Sequence, residues 1–411
     1  MIPVWAIVNF LVSQHLTLLI GGVVAFGLTY VLTYGILALC RKMNWFEPVV
    51  EHKVHKKALP RLGGLAIFAA FLLSSLLFYL PTLAVQPGTS EMIFGHAISK
   101  ELVIYSLFLI SALLIVMVHA YDDVKGMRPL PKMLAQTTAV LVMMGPGLHS
   151  FHGVLFFGFH NPFAPLSQAS SSSLPWYQQT ELTLFIHEPV ISWLTIPAII
   201  FTWFWFVGMM NAINFMDGLD GLVAGIVAIS GLFITIISLQ LSQYTIATLA
   251  AIFTGAVAGF LPHNWNPSRI IMGDSGSQFL GIALAMLSIM GGAKFALILM
   301  ILGIPILDIA WVAFNRLRRG QSPMQRDLLP QYAHKTHLHY RLLFGGLTTR
   351  QVCYIFYAVT ALFGLSALFL TGIFKFLGFG LVGLTVCLLF WYSIYLQSKV
   401  AHSKQRDTQQ A

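Results

Sequence analysis

Eleven apolar runs, most of them near twenty residues long, follow one another along this chain, at 16–40, 62–81, 101–120, 131–148, 189–212, 221–239, 244–262, 277–291, 294–314, 350–372 and 375–397. A hydrocarbon core roughly 30 Å thick is crossed by about 20 apolar residues in an α-helix. Within it, only a helix or a closed barrel satisfies its own backbone. The run lengths suit helices, so the expected fold is an all-α integral membrane protein, a polytopic bundle of about eleven transmembrane helices. The eighth and ninth runs are the least separated, parted by Gly291, Gly292 and Ala293 alone. Of the 411 residues 57% are hydrophobic and 9% charged; soluble domains carry about 25% charged residues. A soluble protein with a large core is thereby excluded.

The formal net charge of +9 raises the question of a nucleic-acid partner, and its distribution answers it. With eleven spans the loops alternate sides. All of the 23 basic residues except Lys100, Lys294 and Lys375 then fall on one side. An excess of Lys and Arg marks the cytoplasmic side, so the basicity reports topology and no nucleic acid is expected. The N-terminus is outside and the C-terminus cytoplasmic. The first run lacks a basic leader and is long enough to span, so no cleavable signal peptide is expected. Cys40, Cys353 and Cys387 all fall in or at spans, an odd set that makes neither a disulfide nor a zinc framework. Residues 1–397 read as one transmembrane domain with an external loop over 149–188 and a cytoplasmic loop over 315–349. A polar cytoplasmic tail follows at 398–411.

The same map gathers the acids. Of the fourteen, only Glu91, Glu101, Glu181 and Glu188 face outward. Asp122 and Asp123 end the third run, and Lys125, Arg128 and Lys132 lead into the fourth. Successive helical side chains diverge by about 100°, so the two acids cannot clamp one ion symmetrically. Either one faces a reaction while the other holds a lysine or a metal-bound water, or the pair is an interfacial cap with charge-paired lysines. The turn NAINFMDGLDG (211–221) sets Asn211, Asn214, Asp217 and Asp220 at the end of a membrane helix, with Gly218 and Gly221 permitting a tight turn. One of the acids can cap the next helix, but capping uses one residue, not four. Amide and carboxylate oxygens are hard ligands for Mg²⁺.

In GDSGS (273–277) Asp274 stands at the start of a helix whose free N–H groups and dipole favour phosphate. It reads either as a metal ligand beside that phosphate or as an N-cap. The longest cytoplasmic loop carries His334, His337, His339 and Arg341. No cysteine accompanies these histidines and the surroundings are basic, so anion binding fits them better than zinc. Contact with anionic lipid is the plainer alternative.

Taken in order, the Asp-Asp stretch with Lys132 and Gln136, NAINFMDGLDGL, GDSGS, PILD (305–308) and HLHYRLL (337–343) resemble the polyprenyl-phosphate N-acetylhexosamine-1-phosphate transferases (glycosyltransferase family 4). The matches span residues 55 to 360. The resemblance implies ten or eleven transmembrane helices in the bacterial cytoplasmic (inner) membrane and a site on the cytoplasmic face. It implies transfer of a sugar 1-phosphate, GlcNAc-1-phosphate by default, from a UDP-N-acetylhexosamine to undecaprenyl phosphate with release of UMP. Such a step starts a lipid-linked cell-envelope glycan. Mg²⁺ is the implied cofactor, with Mn²⁺ a permitted substitute and a homodimer a permitted assembly. By position, Asn214 and Asp274 bind the metal, while Asp122, Asp123 and Lys132 are catalytic. Arg61, Asn211, Asp217, Asp220, His337, His339 and Arg341 bind substrate.

Two positions depart from the family. Ala58 stands where a proline is frequent, and Tyr340 stands where the bacterial sugar-transferase branch has a last histidine, with His334 in place of a common acid. The triple-histidine loop of the lipid I enzyme is absent, which disfavours a muramoyl-pentapeptide donor. The competing class is a transporter. Its ionisable residues are expected near the midplane on broken helices, whereas Asp122, Asp217 and Asp274 gather on one face.

Overall fold

The apolar runs fold into helices whose ends bring the acids together. The computed structural model describes residues 4–46, 58–85, 90–93, 96–145, 195–290, 303–318, 320, 337–369 and 374–410. In chain order the helices are α1 (Val4–Met43), α2 (Gly63–Ser74), α3 (Leu80–Val85), α4 (Lys100–Lys125), α5 (Pro129–Met144), α6 (Thr195–Met216) and α7 (Leu222–Gln240). There follow α8 (Tyr244–Asn264), α9 (Gly273–Met290), α10 (Gly303–Arg318), α11 (Leu338–Phe344), α12 (Thr349–Phe369) and α13 (Lys375–Gln410). A π-helical turn, Ser75–Tyr79, joins α2 to α3 as one span.

Each expected run lies on a helix wherever it is described, and the protein is an all-α polytopic membrane protein. Among the described residues, eight segments are long and apolar enough to cross a membrane, against the eleven expected. The other three are α5, of 16 residues, α9, which opens on the polar Gly-Asp-Ser-Gly-Ser, and α10, which follows residues 291–302 outside the described set. The external loop 149–188 and, within the 315–349 loop, residues 319 and 321–336 with His334 also lie outside it. Over the expected tail α13 continues to Gln410; no Gly or Pro lies between Ser398 and Gln410 to stop it. A short antiparallel hairpin that the sequence did not announce, Ser90–Ile93 against His96–Ser99, precedes α4. Ser99 caps α4, its hydroxyl accepting from the Leu102 N–H at 3.3 Å.

The centre of the bundle is α9, buried at every position from Ser275 to Ile289 and packed against α2, α4 and α6. Lipid tails are as apolar as leucine, so helices in a membrane associate through close packing and polar contacts, and small residues let backbones approach. Gly276 meets Gly64 of α2 so closely that a Cβ on Gly64 would overlap the Gly276 backbone. Farther along, the Phe279 ring meets Phe68 edge-on at 5.2 Å between centroids, and Phe71 at 5.5 Å. The substitution Gly276→Val is expected to destabilise the protein by at least the 1–3 kcal/mol or so typical of overpacking. A fall in the thermal-unfolding midpoint of the detergent-solubilised protein measures it; an unchanged midpoint would mean that α2 and α9 are not this close.

Candidate active site

Two segments distant in sequence build one wall of the site. Ile271 N–H donates to the Pro60 carbonyl (2.8 Å), Gly63 N–H to Ile271 (3.1 Å) and Gly64 N–H to Met272 (2.8 Å). This short ladder delivers Arg61 to the start of α9, where its Nη2 donates to Asp274 Oδ1 at 3.2 Å. Gly273 makes the bend with φ of +78°, and a Cβ there would strike the Arg61 carbonyl.

The second wall is the end of α4. Gly126, at φ +73°, stops the helix, and Asp122 shapes the exit by accepting from Met127 N–H at 2.6 Å. Its other oxygen pairs with Lys132 of α5. Asp123 points the other way, into α9, and its side chain is fully buried. It accepts from Asp274 N–H (2.8 Å), Ser275 N–H (3.0 Å) and the Ser275 hydroxyl (2.7 Å), with Arg61 Nε 3.6 Å away. Here the structure corrects an expectation. The first N–H groups of α9 are not free for a phosphate, and Asp274 is not the cap. Asp123 caps the helix from across the bundle, since the donors and dipole that favour phosphate favour a carboxylate equally. The divergence expected of adjacent helical acids is therefore present, with Asp122 turned to Lys132 and Asp123 to α9.

Asp274 is the hub. Its Oδ1 accepts from Arg61 and from Asn214 Nδ2, both at 3.2 Å, and its Oδ2 accepts from Lys132 Nζ at 2.8 Å. Asp274 precedes the apolar run 277–291. Burial alone raises its pKa, but Lys132 and Arg61 outweigh burial and hold the carboxyl well below the ordinary carboxylate range. One oxygen from each of Asp122, Asp123 and Asp274 lies within 4.8 Å of the others. An all-oxygen set of this kind suits a hard divalent cation such as Mg²⁺ better than zinc. The site residues fit the metal.

On α6, Asn214 donates to Asp274 and also to Ser277 Oγ at 2.9 Å. Asn211 is turned to α5 instead, donating to Gln136 Oε1 (3.1 Å), while Gln136 donates to Gln278 Oε1 (2.9 Å). This buried ladder of amides joins α5, α6 and α9 beneath the acids. Of the turn residues, Asp217 is half-buried. Asp220 is buried and binds the segment after α8, its Oδ2 accepting from Asn266 Nδ2 (2.9 Å) and Ser268 N–H (3.1 Å). These contacts give Asp220 a role in holding the turn.

The histidine segment is ordered around its own partners. From His337 onward it is the short helix α11 rather than open loop, with His337 as its N-cap residue. His337 Nδ1 lies 2.8 Å from Asp308 Oδ2, and its ring stacks on Phe215, next to Asn214. His339 is buried between His337 and Tyr340. Tyr340, the residue departing from the family, donates from its hydroxyl to the Gly218 carbonyl at 3.2 Å and so ties α11 to the α6–α7 turn. Arg341 lies over the Phe390 ring, 5.6 Å from its centroid. Burial lowers its pKa and Asp308 partly offsets this. Sequence reasoning gave no role to Asp308, Ser275 or Ser277. Asp308 had a signal, a carboxylate inside the apolar run 294–314.

Comparison with known proteins finds relatives that cover the segments building this site. The glycosyl transferase family 4 model matches residues 105–292, which include Asp122, Asp123, Lys132, Asn214 and Asp274. The chain is 28% identical over 335 residues to the Bacillus subtilis protein named "Probable undecaprenyl-phosphate N-acetylglucosaminyl 1-phosphate transferase", covering 80% of this chain and 78% of that one. It is 29% identical over 366 residues to the decaprenyl-phosphate N-acetylglucosaminephosphotransferase of Mycobacterium tuberculosis, covering 82% and 78%. To the phospho-N-acetylmuramoyl-pentapeptide-transferase of Leuconostoc mesenteroides it is 29% identical over 318 residues, covering 75% and 84%. The acids, the amide and the lysine all lie inside the matched segment and three relatives align over most of their length, so across the residues that build the site the chain is similar to glycosyl transferase family 4.

Proposed function

We propose that this protein transfers N-acetylhexosamine 1-phosphate, with GlcNAc-1-phosphate as the first candidate, from a UDP-sugar to undecaprenyl phosphate, releasing UMP. The observation that carries the reading is the convergence of Asp122, Asp123 and Asp274 with Lys132, Arg61 and Asn214 at helix ends of a membrane bundle. A lipid acceptor and a water-soluble nucleotide meet most easily at such a boundary. The relatives named above as undecaprenyl- and decaprenyl-phosphate transferases support the same chemistry.

In the reaction, an oxygen of the lipid phosphate attacks the sugar-bearing phosphorus of the donor. The bond from that phosphorus to the bridging oxygen breaks, and the bridging oxygen leaves on UMP. Nucleophile and electrophile are both anions, so the site must offset their repulsion. Lys132 and Arg61 supply two of the positive charges, and Asp122 is the carboxylate assigned to take a proton from the lipid phosphate. Asp123 keeps Asp274 in place through α9. Asp274 and Asn214, with the neighbouring carboxylates, would hold Mg²⁺, which when bound neutralises phosphate charge and stabilises the leaving group. Asp217 and His337 are assigned to the donor side.

Membranes carrying the protein are expected to release UMP from UDP-GlcNAc when undecaprenyl phosphate is present. EDTA should abolish the release and Mg²⁺ restore it. UMP formation that persists in EDTA would remove the metal from the account. The reading also sets the site on the cytoplasmic side of the bacterial inner membrane. A cysteine introduced at Ser170 should react with an impermeant reagent from outside, and one at Ser322 only after the membrane is opened. The reverse pattern would invert the topology.

A further inference from the structure

We infer that Asp308, in the helix before the histidine segment, is the positioning residue for His337. This rests on the functional reading above, which assigns His337 to the donor. Asp308 is 2% exposed and lies on α10. Both its oxygens are committed to one short stretch of chain. Oδ1 accepts from the Leu338 N–H at 2.8 Å, and Oδ2 lies 2.8 Å from His337 Nδ1. A carboxylate only accepts, so Nδ1 is the protonated nitrogen and Nε2 is the one directed away from α10. The Leu338 bond fixes the backbone next to the ring, and the stack on Phe215, with centroids 5.8 Å apart and planes at 24°, fixes the ring plane. One buried carboxylate thus sets the position, tilt and tautomer of a histidine beside the turn that carries Asn214. Capping α11 needs only the Leu338 bond; the second bond has no use in a cap.

Asp308→Asn separates the two bonds. The amide is the same size, and with its oxygen kept on Leu338 N–H its NH₂ faces His337 Nδ1. That nitrogen must then accept, and the proton moves to Nε2. The cap survives while the ring presents the other tautomer. Four purified proteins test this: wild type, Asp308→Asn, His337→Ala and the double variant, assayed with UDP-GlcNAc and undecaprenyl phosphate. Asp308→Asn should raise KM for UDP-GlcNAc about tenfold to a hundredfold, the loss expected for one hydrogen bond to a charged group, and leave KM for the lipid within about twofold. In the His337→Ala background the same substitution should change neither constant, because nothing remains to be positioned. Phe215→Leu, which leaves both hydrogen bonds in place, should show the same pattern more weakly. Additive effects of Asp308→Asn and His337→Ala, or a fall in thermal stability with unchanged KM, would reduce Asp308 to a cap and overturn the inference alone. A wild-type protein that makes no lipid product would overturn the functional reading and the inference with it.

Discussion

Asp274→Ala abolishes transfer while leaving a folded protein. The expected loss in turnover is at least the hundredfold to thousandfold or so that follows removal of one preorganised charged group from an active site. Asp274 is where Arg61, Lys132 and Asn214 converge, so its removal breaks the arrangement at its centre. Its backbone bond to Asp123 does not depend on the side chain, and the cap on α9 therefore survives. Lys132 keeps Asp122, and Arg61 keeps Asp123. Initial rates and the detergent gel-filtration profile, taken together, check both halves. Near-normal turnover at limiting Mg²⁺ would take Asp274 out of the site.

Asp123→Ala is expected to lose both turnover and stability. The Asp123 side chain is fully buried and satisfies two backbone N–H groups and a hydroxyl at the head of the central helix. Without it those donors and part of the Arg61 charge are stranded. Each stranded donor costs about 1–3 kcal/mol. Thermal unfolding in detergent should therefore separate the two aspartates, with a large fall for Asp123→Ala and a small one for Asp274→Ala. Equal falls would mean that Asp123 is not the cap.

Much of this was legible in the sequence because membrane helices follow from composition and length. The apolar runs, the acids at their ends and the family motifs point to Asp122, Asp123, Lys132, Asn214 and Asp274, which the structure brings together. Partners between distant segments were not legible. Nothing local says that Asp123 caps a helix 151 residues away, because capping rules describe only neighbours in the chain. The motif of Asp220 points to the nucleotide but says nothing of its partners Asn266 and Ser268, which follow α8. His337 and His339 were assigned from residue type, without the carboxylate on α10 and the Phe215 ring that hold one of them. The polarity of 398–411 marks where the apolar span ends but not where α13 ends, because polar residues continue a helix as readily as apolar ones.

The central claim is that the sugar leaves its donor with a phosphate attached. Purified protein, undecaprenyl phosphate, Mg²⁺ and UDP-GlcNAc carrying ³²P in the phosphate next to the sugar test it directly. The account predicts label in the lipid fraction and unlabelled UMP in the water phase, in equal amounts. Label remaining in UDP, with unlabelled sugar on the lipid, would show transfer of the sugar alone and contradict it.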